Sequence, residues 1–255
     1  MIFTMDIGNT NIKTALFDGD KLLKYWRIST NRNYTSDEYG MVLTGLFSHD
    51  GYSPKDVEGI MISSVVPTIN FTIEHMCKNY FSCNPLFVSA DINLGIELKY
   101  ERPRELGCDR IANAVAAYNE YGGPCIFIDF GTATTFGAID DKGSFLGGCI
   151  CPGIKLTSEA IVNGTAKLPR FELIKPDTVI GKNTVSNLQS GLIYGYIGQV
   201  KHLIYCMREE LGFKNTKVVA TGGMARILDE NEKMIDIIDG LLTLKGLRIL
   251  YEINS

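Results

Sequence analysis

Three aspartates, each two residues from a glycine, are the candidates for chemistry in this chain. The first opens the run Asp6, Ile7, Gly8, Asn9, Thr10, Asn11, Ile12, Lys13. A glycine turn flanked by small polar residues can aim N–H groups and hydroxyls at phosphate oxygens. A carboxylate at its base suits a hydrated Mg²⁺, and Lys13 adds a countercharge. An ordinary hairpin whose aspartate satisfies turn amides explains the same letters. The spacing of a Walker A loop is absent. The second run is Asp129, Phe130, Gly131, Thr132, Ala133, Thr134, Thr135. Here Thr132 offers a hydroxyl to phosphate and Asp129 a carboxylate to a cation. The motifs that accompany a DFG triplet in protein kinases are missing. The third run is Gly107, Cys108, Asp109, Arg110, ahead of an apolar-periodic helix. Asp109 reads either as a helix cap or as a general base for an alcohol. Arg110 reads either as the partner of a surface acid or as a bidentate anchor for a substrate carboxylate. A fourth segment, Val218 to Met224, is a strand ending in two glycines, which turn the chain or let backbone approach a flat ring.

The elements that must position these residues occur twice. IFTMD ends in Asp6, a turn at Gly8 follows, a strand runs from Ile12 to Phe17, and Asp18-Gly19-Asp20 turns into a third strand from Lys21 to Ile28. CIFID ends in Asp129, and strands through Ile139 and from Ser144 repeat the plan. Aligning Asp6 with Asp129 pairs Gly8 with Gly131, Ala15 with Ala138 and Leu16 with Ile139, a constant offset of 123. Thr35 and Glu38 form a capping-box pattern for a helix to about Phe47. Gly59 to Val66 reads as a buried strand, Ile69 to Phe81 as a helix and Pro85 to Val88 as a short strand. Further helices are expected at Ile111 to Tyr121, Gly153 to Val162, Ser186 to Leu211 and Leu241 to Glu252, with a strand at Lys217 to Thr221. The expectation is an α/β protein of two duplicated lobes, residues 1–120 and 121–255, facing each other across a ligand cleft.

Bulk properties narrow the function. The 255 residues are 45% hydrophobic and 21% charged, ordinary for a globular protein. A formal charge of −4 without a basic cluster argues against nucleic acid. No run of about 18 apolar residues suggests a membrane span, and the N-terminus lacks the pattern of a secretory signal. Seven cysteines with no C-x-x-C pair suit reduced thiols and a cytoplasmic setting better than a disulfide or zinc framework.

Together the four runs resemble the acetate and sugar kinase, Hsp70 and actin superfamily. Within it the chain is similar, over nearly its whole length, to type III pantothenate kinases. The matching pieces are DIGNTNIK, SSVVP at 63–67, GCDR, IDFGTATTF, GGCICPG at 147–153, and GKNT at 181–184 with Ser190-Gly191. Cys108 stands where the family usually has a small residue. The resemblance implies two ribonuclease H-like, actin-like ATPase lobes with the nucleotide between them, and ATP-dependent phosphorylation of pantothenate to 4'-phosphopantothenate, the first step of coenzyme A synthesis. It implies that Asp6, Ile7, Gly8, Asn9, Thr10, Asn11, Ile12, Lys13 and Thr132 bind ATP, with Asp6 near Mg²⁺ through water. Asp129 would hold a monovalent cation, K⁺ or NH₄⁺. Asp109 would accept the substrate's proton. Tyr100, Gly107, Cys108, Asp109, Arg110 and Thr184 would contact pantothenate. Taken alone, Tyr100 would read as a partly exposed strand residue and Thr184 as a helix cap.

The family is dimeric, and the apolar-rich stretch Leu188 to Met207 carries more hydrophobic faces than one monomer core needs, so a homodimer is expected. Neither nucleic acid nor a membrane is an expected partner. Three other readings compete: a different small-molecule kinase of the superfamily, a non-enzymatic relative in transcriptional control, and an actin-like filament protein. The presence of Asp6, Asp109 and Asp129 together favours the enzyme.

Overall fold

A computed structural model describes residues 1–213, 215–229 and 232–255. The chain divides into two compact units, Met1–Glu120 with Leu241–Ser255, and Tyr121–Gly240.

In the first unit, strands β1 (Ile2–Ile7), β2 (Asn11–Asp18) and β3 (Lys21–Ser29) form an antiparallel meander. Strand β4 (Gly59–Ser64) then joins parallel to β1, and β5 (Leu86–Phe87) parallel to β4. The sheet order is β3-β2-β1-β4-β5. Helix α1 (Ser36–His49) starts at the expected capping box, Thr35 with Glu38. Helix α2 is Asn70–Phe81 and α3 is Cys108–Tyr121. The core joins Phe3, Met5, Ile7 and Ile62 from the sheet to Tyr39, Leu43, Phe47, Ile73 and Phe81 from α1 and α2.

In the second unit, β6 (Cys125–Phe130), β7 (Ala133–Ile139) and β8 (Phe145–Pro152) repeat the meander. Helices α4 (Ile154–Asn163) and α5 (Thr184–Leu211) precede β9 (Lys217–Gly222), helix α6 (Ala225–Asp229) and β10 (Ile237–Ile238). The order β10-β9-β6-β7-β8 is the first sheet's order read backwards. Both meanders carry a register shift near the end of the second strand, between Leu16 and Phe17 and between Ala138 and Ile139. A shared irregularity at equivalent places marks the two halves as copies, since bulges are specific features of a pairing.

The pairing corrects the constant offset. Asp6 faces Lys13, and Asp129 faces Thr135. Thr4 faces Ala15, while its counterpart Phe127 faces Gly137. The second hairpin is one residue shorter, so beyond the turn Ala15 matches Gly137 and not Ala138, and Leu16 matches Ala138 and not Ile139.

A second correction concerns residues 241–255, expected in the C-terminal lobe. Helix α7 (Leu242–Glu252) belongs to the first unit, against β1, β4 and α3. A Cβ added at Gly246 would stand 2.0 Å from Ala112 O, so only glycine permits this helix approach. The Thr243 hydroxyl and Asn113 Oδ1 bond at 2.8 Å in the buried seam. Arg248, nearly buried, binds Asp20, Glu120 and Glu252, tying α7 to the β2–β3 turn and to the end of α3. Among the described residues no helix is long and apolar enough to cross a membrane.

Candidate active site

Asp6 is the penultimate residue of β1, and its carboxylate lies 3.6 Å from Lys13 Nζ across the β1–β2 pair. On the other side Asp6 is in register with the fully buried Ser63 of β4. Residues directly opposite on neighbouring strands share a face, so carboxylate, ammonium and hydroxyl stand in one row. The turn closes with Gly8 N–H donating to Asn11 O at 3.0 Å. Asn9 and Thr10 are exposed at its tip.

Asp129 has the same place in β6, with Thr135 of β7 and Thr221 of β9 in register on either side. Gly131 N–H closes this turn on Ala133 O at 3.1 Å, and Gly131 and Thr132 are exposed at the tip. The row here is carboxylate flanked by two hydroxyls. Oxygen ligands of this kind suit hard cations, so the residues fit a group I or group II ion, whereas the first row already contains an ammonium. Sequence reasoning singled out neither Thr135 nor Thr221, because only the strand register sets them beside Asp129. Behind the turn, the Tyr196 hydroxyl of α5 bonds to the Thr134 hydroxyl, both buried.

The GCDR run does not precede its helix but begins it. Helix α3 starts at Cys108, so Asp109 lies inside the first turn and is not a cap before Ile111. Its Oδ1 accepts from Arg110 N–H at 2.8 Å. A Cβ on Gly107 would come within 2.5 Å of that same Oδ1, so the glycine keeps the carboxylate's position open. Arg110 is only 6% exposed, which removes the reading of a surface ion-pair residue. The Cys108 thiol accepts from Ser64 N–H at 3.1 Å and from the Ser63 hydroxyl at 3.3 Å, and donates to Ser64 O at 3.0 Å. Burial pushes the thiol's pKa up, and the neighbouring Asp109 and Asp6 carboxylates add to the rise against the hydrogen bonds. Ser63 thus links the two aspartates inside one unit: it is in register with Asp6 and bonded to the residue before Asp109. A cavity of about 390 Å³ opens beside this junction, lined by Ser64, Val65, Val88, Leu106, Gly107 and Cys108 among others. Its volume is that of a small-molecule site.

A family model described as type III pantothenate kinase matches residues 2–205. The chain belongs to that family. It is therefore an enzyme that phosphorylates pantothenate with ATP, uses a divalent metal and serves coenzyme A synthesis. Solved structures carry the fold further. One described as a Baf family transcriptional activator from Campylobacter jejuni shares 21% identity at TM-score 0.63, covering 98% of this chain and 97% of that one. A 2-dehydro-3-deoxygalactonokinase structure from Sinorhizobium meliloti gives 9% identity and TM-score 0.61, with coverage of 99% and 96%. One described as an N-acetylmannosamine kinase from Listeria monocytogenes gives 12% and 0.53, with 98% of each chain covered. The fold is that of the acetate and sugar kinase, Hsp70 and actin superfamily, in two α/β units.

Tyr100 is half-buried in irregular chain and not in a strand. Thr184 is the exposed first residue of α5, and Asn183 is the cap, its Oδ1 accepting from Ser186 N–H at 2.9 Å. Asn183 provides a complete capping box with Ser186, which leaves the Thr184 hydroxyl without that duty. Thr184, Thr132 and Asp129 lie in the second unit, whereas Asp6 to Lys13, Tyr100 and Gly107 to Arg110 lie in the first.

Proposed function

We propose that the primary hydroxyl of pantothenate attacks the γ-phosphorus of ATP in line, with Asp109 accepting its proton. The observation that carries this is the link through Ser63 and Cys108: Ser63, in register with the carboxylate of the candidate phosphate hairpin, donates to Cys108, the residue before the candidate base. Phosphoryl transfer depends on positioning and electrostatics more than on covalent help from the protein. In this reading Asp6 to Lys13 and Thr132 bind the ATP phosphates. Asp6 would hold Mg²⁺ through water and Asp129 a monovalent cation, and these ions would offset the phosphate charge. Tyr100, Gly107, Cys108, Arg110 and Thr184 hold pantothenate, with Arg110 taking its carboxylate.

Arg110→Lys separates the two substrates. Lysine keeps the charge but loses the planar two-point fork. The KM for pantothenate is expected to rise about tenfold, the worth of one charged hydrogen bond, while the KM for ATP stays put. Steady-state phosphorylation of pantothenate measures both. A rise confined to ATP would place Arg110 at the nucleotide.

The active form is proposed to be a cytoplasmic homodimer, with the pantothenate site completed near the subunit interface. Helix α5 buries one stripe, Ile193, Tyr196, Ile197, Val200 and Ile204, and leaves Val185 and Tyr205 exposed. Strand β8 exposes Leu146 and Ile150 at the sheet's edge. These apolar groups suit a second copy of the chain. Light scattering at assay concentration is expected to give twice the mass of 28.2 kDa, and a fully active monomer would refute it. Seven free thiols favour a reducing compartment.

A further inference from the structure

The turn between β3 and α1 has no part in the roles assigned above, yet it is bonded directly to the tip of the first hairpin. The Thr30 hydroxyl donates to Gly8 O at 2.6 Å, and Thr30 N–H donates to Thr10 O at 3.0 Å. Arg32 donates from Nη2 to Asn9 Oδ1 at 3.0 Å. With Asn11 O already taken by Gly8 N–H, the carbonyls of Gly8, Thr10 and Asn11 are all engaged by protein donors. That matters for an anion site, because a carbonyl oxygen turned toward phosphate repels it, whereas N–H groups attract it.

The turn that supplies these bonds is itself anchored. The buried Tyr39 hydroxyl accepts from Asn31 N–H at 3.1 Å and donates to Asn31 O at 2.8 Å. Burial raises the phenol's pKa, so it stays a neutral two-way link. Asn31 Oδ1 accepts from Asn33 N–H at 3.0 Å, and the capping box at Thr35 fixes the start of α1 two residues later. Thr30 and Asn31 are therefore held from both sides, and Arg32 follows them immediately.

Charge completes the case. The Lys13 ammonium faces the Asp6 carboxylate, so that pair offers a polyphosphate little net attraction. Arg32 is exposed and its guanidinium is bonded to a neutral amide. A guanidinium carries five N–H donors in a planar fork matched to phosphate oxygens. We propose that Arg32 is a polyphosphate-binding residue of this kinase, contacting the phosphate chain of ATP while it orients Asn9, with Thr30 as the positioning residue that turns the hairpin carbonyls away. The inference rests on the assignment of Asp6 to Lys13 to the nucleotide.

Ligand-observed NMR titration of the purified full chain with ATP and with AMP tests it, alongside the KM values for ATP and pantothenate. Arg32→Gln is expected to weaken ATP about tenfold and to leave AMP binding, the KM for pantothenate and the thermal midpoint unchanged, since the side chain is exposed. Arg32→Lys should recover part of the loss. Thr30→Val should weaken ATP by about threefold to tenfold, again without affecting AMP, because a missing hydroxyl frees one carbonyl. Lys13→Ala is the control for the hairpin itself. If Lys13→Ala weakens ATP and Arg32→Gln does not, the inference fails and the hairpin assignment stands. If neither changes ATP binding, the hairpin assignment fails and the inference with it. Equal weakening of ATP and AMP by Arg32→Gln would also overturn it, since the residue would then act away from the phosphate chain.

Discussion

The Asp109→Asn chain is expected to fold and bind ATP like the parent and to phosphorylate pantothenate about 10² to 10⁴ times more slowly, the usual worth of a general base. The substitution keeps what the local structure uses. Asparagine retains the Oδ1 that accepts from Arg110 N–H, and it fits the space that Gly107 leaves. What it loses is a proton-accepting oxygen and one negative charge in the first turn of α3. The charge interacts favourably with the helix dipole, and its loss costs about 0.3–1 kcal/mol, too little to unfold a domain. A melting curve within a few degrees of the parent, an unchanged ATP titration and a collapsed kcat would together assign the base. Near-normal turnover in a folded variant would move the proton to another acceptor.

How far the sequence discloses this site depends on whether a signal is local. The capping box at Thr35, the two meanders and the strand leading to the paired glycines at 222 and 223 are all local patterns, and each element formed within a few residues of its expected bounds. Helix α3 starts three residues earlier than its apolar period suggests, because its first residue, Cys108, is held by polar bonds to Ser63 and Ser64 and not by a hydrophobic core. The amphipathic pattern of α7 says that one face is buried but not against which sheet. Its placement rests on Gly246, Thr243 and Arg248 meeting residues more than 100 positions earlier in the chain. Strand β10 has two residues, too few for any periodicity. The family resemblance supplied Tyr100 and Thr184, for which neither spacing nor chemistry gave a reason. The buttress at Thr30 and Arg32 is hidden for the opposite cause: its letters are ordinary turn letters until the hairpin they touch is known.

The duplication also explains why one copy should require a monovalent ion that the other does not. At equivalent positions the first sheet sets Lys13 beside Asp6, with Nζ 3.6 Å from the carboxylate, and the second sets Thr135 beside Asp129. The second hairpin is one residue shorter, and a threonine stands at the place of the lysine. The first carboxylate thus has a built-in cation, and the second has hydroxyls from Thr135 and Thr221 that can ligate one. If Thr132 contacts phosphate, an uncompensated Asp129 would repel the nucleotide. Two unit charges about 4 Å apart at an effective dielectric near 20 interact by on the order of 4 kcal/mol, enough to suppress activity at least tenfold. Turnover is accordingly expected to need a monovalent cation in addition to Mg²⁺. K⁺ and NH₄⁺ should serve and Na⁺ poorly, because the larger ions shed water more readily and tolerate an irregular oxygen cage. The measurement is the initial rate in Tris with saturating Mg²⁺ and KCl, NH₄Cl or NaCl at matched ionic strength. A Thr135→Lys variant, which restores the first copy's arrangement, should lose much of its dependence on added K⁺. Equal rates for the parent chain in all three salts, and in none, would leave Asp129 as a turn residue that merely satisfies backbone amides.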